Sequence, residues 1–132
     1  MSSSARLAAV HIDRHLDDVE AIDLEVGQVQ VFSTPCPTKQ KNEDGAAVIG
    51  IDATTAVLAV ADGLGGHPAG DQASALALSA LERTILGEGL EPDVSDETLL
   101  AAFELANREV AELGVGAATT MVAVVIKDDT LR

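Results

Sequence analysis

The sequence has little aromatic character, little cysteine and little positive charge. Two phenylalanines are its only aromatic residues, so the hydrophobic core has to be built from alanine, valine, leucine and isoleucine. The single Cys36 excludes an intrachain disulfide, and this cysteine usage favours the cytoplasm. Eight Lys and Arg residues against 22 Asp and Glu residues give a formal net charge of -14. Such a charge repels nucleic acid and anionic lipid, so we predict neither as a partner.

Long apolar runs are also missing. No segment reaches the roughly 20 apolar residues that a membrane-spanning helix needs. The start of the chain, MSSSARLAAVHIDRHLDD, lacks the apolar centre of a signal peptide. Because 132 residues are the length of one ordinary domain, we expect one globular unit or part of one.

The first 23 residues differ from the rest in their acidic, weakly patterned composition. Residues 5–22 could form a helix, and a solvated, disordered arm agrees with the same composition. We therefore divide the chain into an acidic N-terminal arm, residues 1–23, and a folded region, residues 24–132.

Four segments of the folded region have the composition of β-strands. Residues 46–52 and 55–61 are separated only by a two-residue link, which predicts an antiparallel hairpin. A strand is also predicted at 24–32, and a buried one at 119–126 is followed by a turn and the opening of a further strand. The chain stops where that partner strand would continue, so we expect the first part of a longer domain.

Two helices are predicted between these strands. Residues 69–86 follow Pro68 and have small side chains on nearly every face, which is typical of a helix packed between layers. The second helix starts after Ser95, an N-cap residue followed by acidic side chains in the first turn. Its predicted core face contains Leu99, Phe103, Ala106, Val110 and Leu113.

The stretch VADGLGGHPAGDQAS, residues 60–74, places Asp62 at the end of an apolar strand. A carboxylate buried there is costly unless a cation compensates it, and the carbonyl of Gly63 could serve the same hard cation. Glu43 and Asp44 enter the other strand of the predicted hairpin and would lie at the same end of the sheet. Taken singly, an Asp-Gly step can be a simple turn and a Glu-Asp pair a solvated loop.

Three motifs in this order, KQKNEDG, VADGLGGHPAGDQAS and GAATTMVAVVI, resemble the metal-dependent serine/threonine protein phosphatases of type 2C in their bacterial form. The resemblance covers about residues 32–126. It implies an α+β fold, an antiparallel β-sandwich flanked by helices, with two Mn²⁺ or Mg²⁺ ions at one end. It also implies phosphoserine and phosphothreonine proteins, the products of a serine/threonine kinase, as substrates.

The resemblance assigns roles to the acidic residues. Asp62 would bridge both metal ions and Gly63 would bind one of them through its carbonyl. Glu43 and Asp44 would support the same centre directly or through water. A water molecule activated by the two ions would attack the phosphorus without a covalent intermediate.

The resemblance also points to three basic or titratable side chains. Lys39 occupies the position where the family usually has an arginine that holds the substrate phosphate, and a lysine cannot make the bidentate contact. Lys41 is the alternative, and either lysine could instead be a solvated surface charge. His67 would order the glycine loop by hydrogen bonding or act as a general acid.

The chain departs from the family pattern after Gly116. The later half of the family supplies further metal-binding aspartates in a D-G step and a D-N step, and neither step follows here. The chain therefore resembles the N-terminal half only and is expected to be inactive by itself. Two alternatives stay open: a non-catalytic phosphatase-like module that binds phosphoproteins or regulates a partner, and a simple Mg²⁺- or Ca²⁺-binding domain.

Overall fold

The computed structural model describes residues 7–12, 19–38, 41–64, 69–87 and 91–132. These residues form seven strands and two helices. In chain order the elements are β1 (Leu7–Ile12), β2 (Glu20–Leu24), β3 (Gly27–Val31), β4 (Asp44–Gly50), β5 (Thr55–Gly63), α1 (Gly70–Leu86), α2 (Asp96–Glu112), β6 (Thr119–Lys127) and β7 (Thr130–Leu131). Neither helix in this part of the chain is long and apolar enough to cross a membrane.

The strands form two antiparallel sheets. The larger sheet has the order β1-β4-β5-β6-β7, and β2 pairs with β3 in a separate hairpin. The predicted hairpin is confirmed as β4 and β5, which pair from Asp44 opposite Asp62 to Gly50 opposite Ala56. The turn and short strand predicted after residue 126 are confirmed as the β6–β7 hairpin.

Different elements cover the two faces of the five-stranded sheet. On one face Val57, Ala59 and Ala61 pack against Leu78 and Leu81 of α1, within the main core. On the other face the β2–β3 hairpin covers part of the sheet, where the buried residues are Ile22, Val31 and Val48. The predicted α+β class, with helices packed on antiparallel sheets, is therefore confirmed.

The N-terminal region differs from the expected acidic arm. Leu7–Ile12 forms β1, which pairs with β4 from Leu7 opposite Gly50 to Ile12 opposite Gly45. The strand expected at 24–32 is a hairpin whose first strand, β2, starts at Glu20 and crosses the predicted boundary at residue 23. β1 forms despite the acidic local composition because its backbone pairs with β4, which is distant in sequence. A short-range sequence pattern does not predict such pairing.

The helices follow the prediction more closely. α1 buries Ala73, Ala77 and Ala80, as expected for a helix between layers. The N-cap role of Ser95 is confirmed, since its hydroxyl oxygen accepts a hydrogen bond from the backbone N–H of Thr98 at 3.2 Å.

The predicted core face of α2 is only partly correct. Ala106 is buried against Ala77 and Ala80 of α1, whereas Phe103 is 39% exposed. Ala102 is fully buried in the main core, at a position outside the predicted face. Alanines at a four-residue spacing allow the two helices to approach closely, which rotates the larger Phe103 outward.

Candidate metal centre

The structure brings two of the predicted site residues together at one end of the sheet. Asp44, the first residue of β4, lies directly opposite Asp62 of β5. The backbone N–H of Gly63 donates to the carbonyl of Glu43 at 3.0 Å, so Glu43 and Gly63 form a hydrogen-bonded pair. Hydrogen-bonded and non-hydrogen-bonded pairs alternate along antiparallel strands. Asp44 and Asp62 are therefore a non-hydrogen-bonded pair, the geometry in which facing side chains come closer.

The two carboxylates border an open cleft. Asp44 and Asp62 are both exposed, and they line a cavity of about 400 Å³ together with Ser33, Thr34 and Thr120. The burial expected for Asp62 is not found. A cation at Asp62 would therefore offset the like charge of Asp44 opposite it rather than a desolvation cost, because like charges on facing residues destabilise a sheet.

A buried amide holds the start of β4. Asn42 is 2% exposed. Its Oδ1 accepts the backbone N–H of Asp44 at 3.1 Å, and its Nδ2 donates to the hydroxyl of Ser33 at 2.6 Å. Asn42 thus joins the segment after β3 to the residue that carries the first carboxylate.

Gly63 is required by close packing. It lies at the end of β5, and a Cβ atom there would lie 2.2 Å from the carbonyl oxygen of Gly70 and 2.8 Å from that of Glu43. Both neighbours are backbone atoms at the junction of β4 and α1, so only glycine fits. The carboxylate of Glu43 lies on the same junction, since its Oε1 would be 3.0 Å from a Cβ atom on Gly70.

Sequence reasoning missed the buried Ser74. Its hydroxyl donates to the carbonyl of Glu43 at 2.8 Å, although the two residues are 31 positions apart. The sequence pattern that indicates such a residue is a small polar side chain at the first full turn of an otherwise alanine-rich helix. The Asn-Glu-Asp sequence at 42–44 contains a similar signal, because an asparagine side chain before a strand often hydrogen-bonds the backbone two residues on.

Of the three predicted basic or titratable residues, the structure describes Lys41 alone. Lys39 and His67 lie outside the described residues. Lys41 is exposed, and its Nζ lies 3.4 Å from Oδ2 of Asp71 in the first turn of α1. An exposed pair of this kind contributes little to stability.

Two solved structures are similar to this fold. The serine/threonine phosphatase of S. agalactiae matches over 95% of this chain and 46% of its own, with a TM-score of 0.62 and 22% identity. The chain has the fold of part of a bacterial serine/threonine phosphatase. The Mycobacterium tuberculosis serine/threonine phosphatase PstP/Ppp matches over 96% of this chain and 44% of its own, with a TM-score of 0.53 and 26% identity.

The chain spans less than half the length of these two phosphatases. No protein-family model matches it, and none of the curated proteins does. The two similar structures confirm the resemblance to the type 2C phosphatases for part of a phosphatase domain.

The donor atoms fit part of a centre for the divalent cations that the phosphatase resemblance implies. Carboxylate oxygens are the ligands that Mg²⁺ prefers, and Mg²⁺ commonly takes one or two carboxylates together with several waters. Asp44 and Asp62 supply such a pair on facing strands. Among the described residues, no group of three or more His, Cys, Asp or Glu side chains could hold a metal ion. The pair therefore matches only part of the ligand set of such a centre.

Proposed function

We propose that this chain is part of a metal-dependent protein phosphatase that hydrolyses phosphoserine and phosphothreonine in proteins. The observation that supports this most directly is the facing pair Asp44 and Asp62, at a sheet end in a fold shared with serine/threonine phosphatases. The substrates would be phosphoproteins made by a serine/threonine kinase. The cysteine usage of the sequence favours the cytoplasm as its location.

Each residue of the site has a defined task in this proposal. Asp44 and Asp62 would hold Mn²⁺ or Mg²⁺, with Glu43 and the carbonyl of Gly63 as additional oxygen donors. When bound, the divalent cations supply Lewis-acid chemistry and neutralise charge on the phosphate. Thr120 lines the same cleft, and its hydroxyl lies 3.5 Å from the carbonyl oxygen of Asp62; it would donate to a phosphate oxygen in place of this long contact.

The two residues outside the described part keep their predicted roles. Lys39 would bind the substrate phosphate as a point charge. His67 would order the loop between β5 and α1, and a role as general acid is the alternative.

Metal binding by the chain tests the first half of the proposal. Titration of the chain with Mn²⁺, followed by electron paramagnetic resonance of the free ion, should show saturable binding that Asp62→Asn weakens at least tenfold. Asp23→Asn is the matched control, because Asp23 is an exposed aspartate on β2 outside this cleft. Equal binding by the wild type and Asp62→Asn would contradict the assignment.

Hydrolysis tests the second half. The natural gene product that contains this sequence should release phosphate from a phosphothreonine peptide when Mn²⁺ is present and should lose that activity with Asp62→Asn. Lys39→Ala should raise KM more than it lowers kcat, since the lysine would bind the phosphate rather than take part in the reaction. A folded, metal-loaded gene product with no activity would exclude catalysis.

One observation favours a second function. The described residues hold only a partial ligand set, which agrees with a non-catalytic module that binds phosphoproteins. Such a module would bind a phosphopeptide without added metal, and Asp62→Asn would leave that binding unchanged. The phosphatase proposal requires the opposite dependence on both metal and Asp62.

A further inference from the structure

The carbonyl of Glu43 accepts hydrogen bonds from two different elements. The backbone N–H of Gly63 at the end of β5 donates to it at 3.0 Å, and the hydroxyl of Ser74 in α1 donates to it at 2.8 Å. A carbonyl oxygen has two lone pairs, so both bonds can exist together. One atom thus connects β4, β5 and α1.

The contact differs from the usual behaviour of a serine in a helix. Serine hydroxyls in helices commonly bond the carbonyl three or four residues earlier, and the carbonyl of Asp71 lies 3.1 Å from the hydroxyl of Ser74. The hydroxyl has a single proton, and the shorter contact is to Glu43. Ser74 is fully buried, so water does not replace this bond when it is lost.

The bonded atoms are adjacent in sequence to both carboxylates. Glu43 immediately precedes Asp44, and Gly63 immediately follows Asp62. The backbone of Gly70 packs on the same point so closely that Gly63 has no room for a Cβ atom. The start of α1 therefore packs against the junction from which the side chains of Asp44 and Asp62 extend.

We propose that Ser74 is a positioning residue for the divalent cation: by bonding the carbonyl of Glu43 it sets the separation of Asp44 and Asp62. This inference rests on the proposed function, since it assumes that the two carboxylates hold a cation. Small hard cations demand short, well-defined metal–oxygen distances, so a shift of either strand end weakens binding. Residues that orient ligands without touching the metal typically change metal affinity by about 10- to 100-fold when they are replaced.

The experiment compares two buried or partly buried hydroxyls of α1. Ser74→Ala removes the bond to Glu43, and Thr84→Ala removes a hydroxyl that bonds only within the helix, to the carbonyl of Ala80 at 2.7 Å. Mn²⁺ affinity by electron paramagnetic resonance and the hydrogen-exchange rate of the Gly63 amide are measured for both. We expect Ser74→Ala to lower the affinity at least tenfold and to speed exchange at Gly63, and Thr84→Ala to change neither. Ser74→Cys keeps a weaker donor and should fall between Ser74→Ala and the wild type.

The outcomes separate this inference from the proposed function. Wild-type binding of Mn²⁺ with unchanged affinity in Ser74→Ala overturns the role of Ser74 alone. Equal losses in Ser74→Ala and Thr84→Ala also overturn it, because they indicate a general loss of helix stability. A wild-type chain that binds no Mn²⁺ overturns the proposed function and this role of Ser74 with it.

Discussion

The two faces of the five-stranded sheet have similar aliphatic residues but very different cover. On the helix face Val57, Ala59 and Ala61 are at most 4% exposed, whereas Val60 and Val122 on the opposite face are each 59% exposed. The β2–β3 hairpin covers that second face only around Val48. The alternation of burial along β5 therefore comes from what packs on each face, because the residues themselves are apolar on both.

The candidate site follows the same division. Successive side chains of a strand point to opposite faces. Asp62 lies two residues after Val60 in β5, so both side chains point to the same face. The two carboxylates thus lie on the less covered face, while the glycine beside them faces the helices. The helix face therefore supplies stability, and the hairpin face supplies access to the two carboxylates.

The largest effect is expected in the helix-covered core. Leu81 is fully buried, so Leu81→Ala should lower the free energy of unfolding by about 2–5 kcal/mol, measured by urea denaturation. Leu100→Ala is the matched control, since Leu100 is 62% exposed on α2. Similar losses in both variants would contradict the assignment of the core to the helix face.

The next effect is expected at the junction of the sheet and α1. Gly63→Ala introduces a Cβ atom that meets backbone atoms of Gly70 and Glu43, and forced overpacking of this kind costs about 1–3 kcal/mol. The same variant should weaken Mn²⁺ binding, because relief of the clash separates α1 from the ends of β4 and β5. An alanine variant with wild-type stability would show that the junction is not tightly packed.

A smaller effect of opposite sign is expected on the hairpin face. Asp62→Asn removes a like charge opposite Asp44, so it should raise the stability of the metal-free protein by about 0.2–1 kcal/mol. In the presence of Mn²⁺ the wild type should be more stable than the variant, since the wild type gains the free energy of metal binding. Thermal unfolding of wild type and variant, with and without Mn²⁺, measures these stabilities. A variant that stays more stable than the wild type in Mn²⁺ would contradict metal binding at this pair.

The smallest effect is expected at the exposed valines. Val122→Thr keeps the β-branched shape on an open strand position, so the stability should change by less than about 0.5 kcal/mol. A large loss measured by urea denaturation would mean that this face is covered in solution, and the contrast between the two faces would then disappear.

Sequence reasoning was most successful where the interacting residues are close in the chain. The β4–β5 hairpin was predictable because a short link leaves two apolar strands little choice but to pair. The start of α2 was predictable because Ser95 caps the backbone N–H of Thr98 three residues later. It failed for β1, whose partner β4 is more than 30 residues away, and for Phe103, whose exposure depends on how α2 lies on α1.

The register of one hairpin places Asp44 opposite Asp62, so local chemistry accounts for this pairing. Only the packing of α1 on the sheet decides that Ser74 bonds Glu43 and that Gly63 has no room for a side chain. Only the positions of the helices and of the β2–β3 hairpin decide which valines are buried. The reason is physical: hairpin pairing and capping act over a few residues, whereas burial and close packing depend on elements that are distant in sequence and adjacent only in the folded protein.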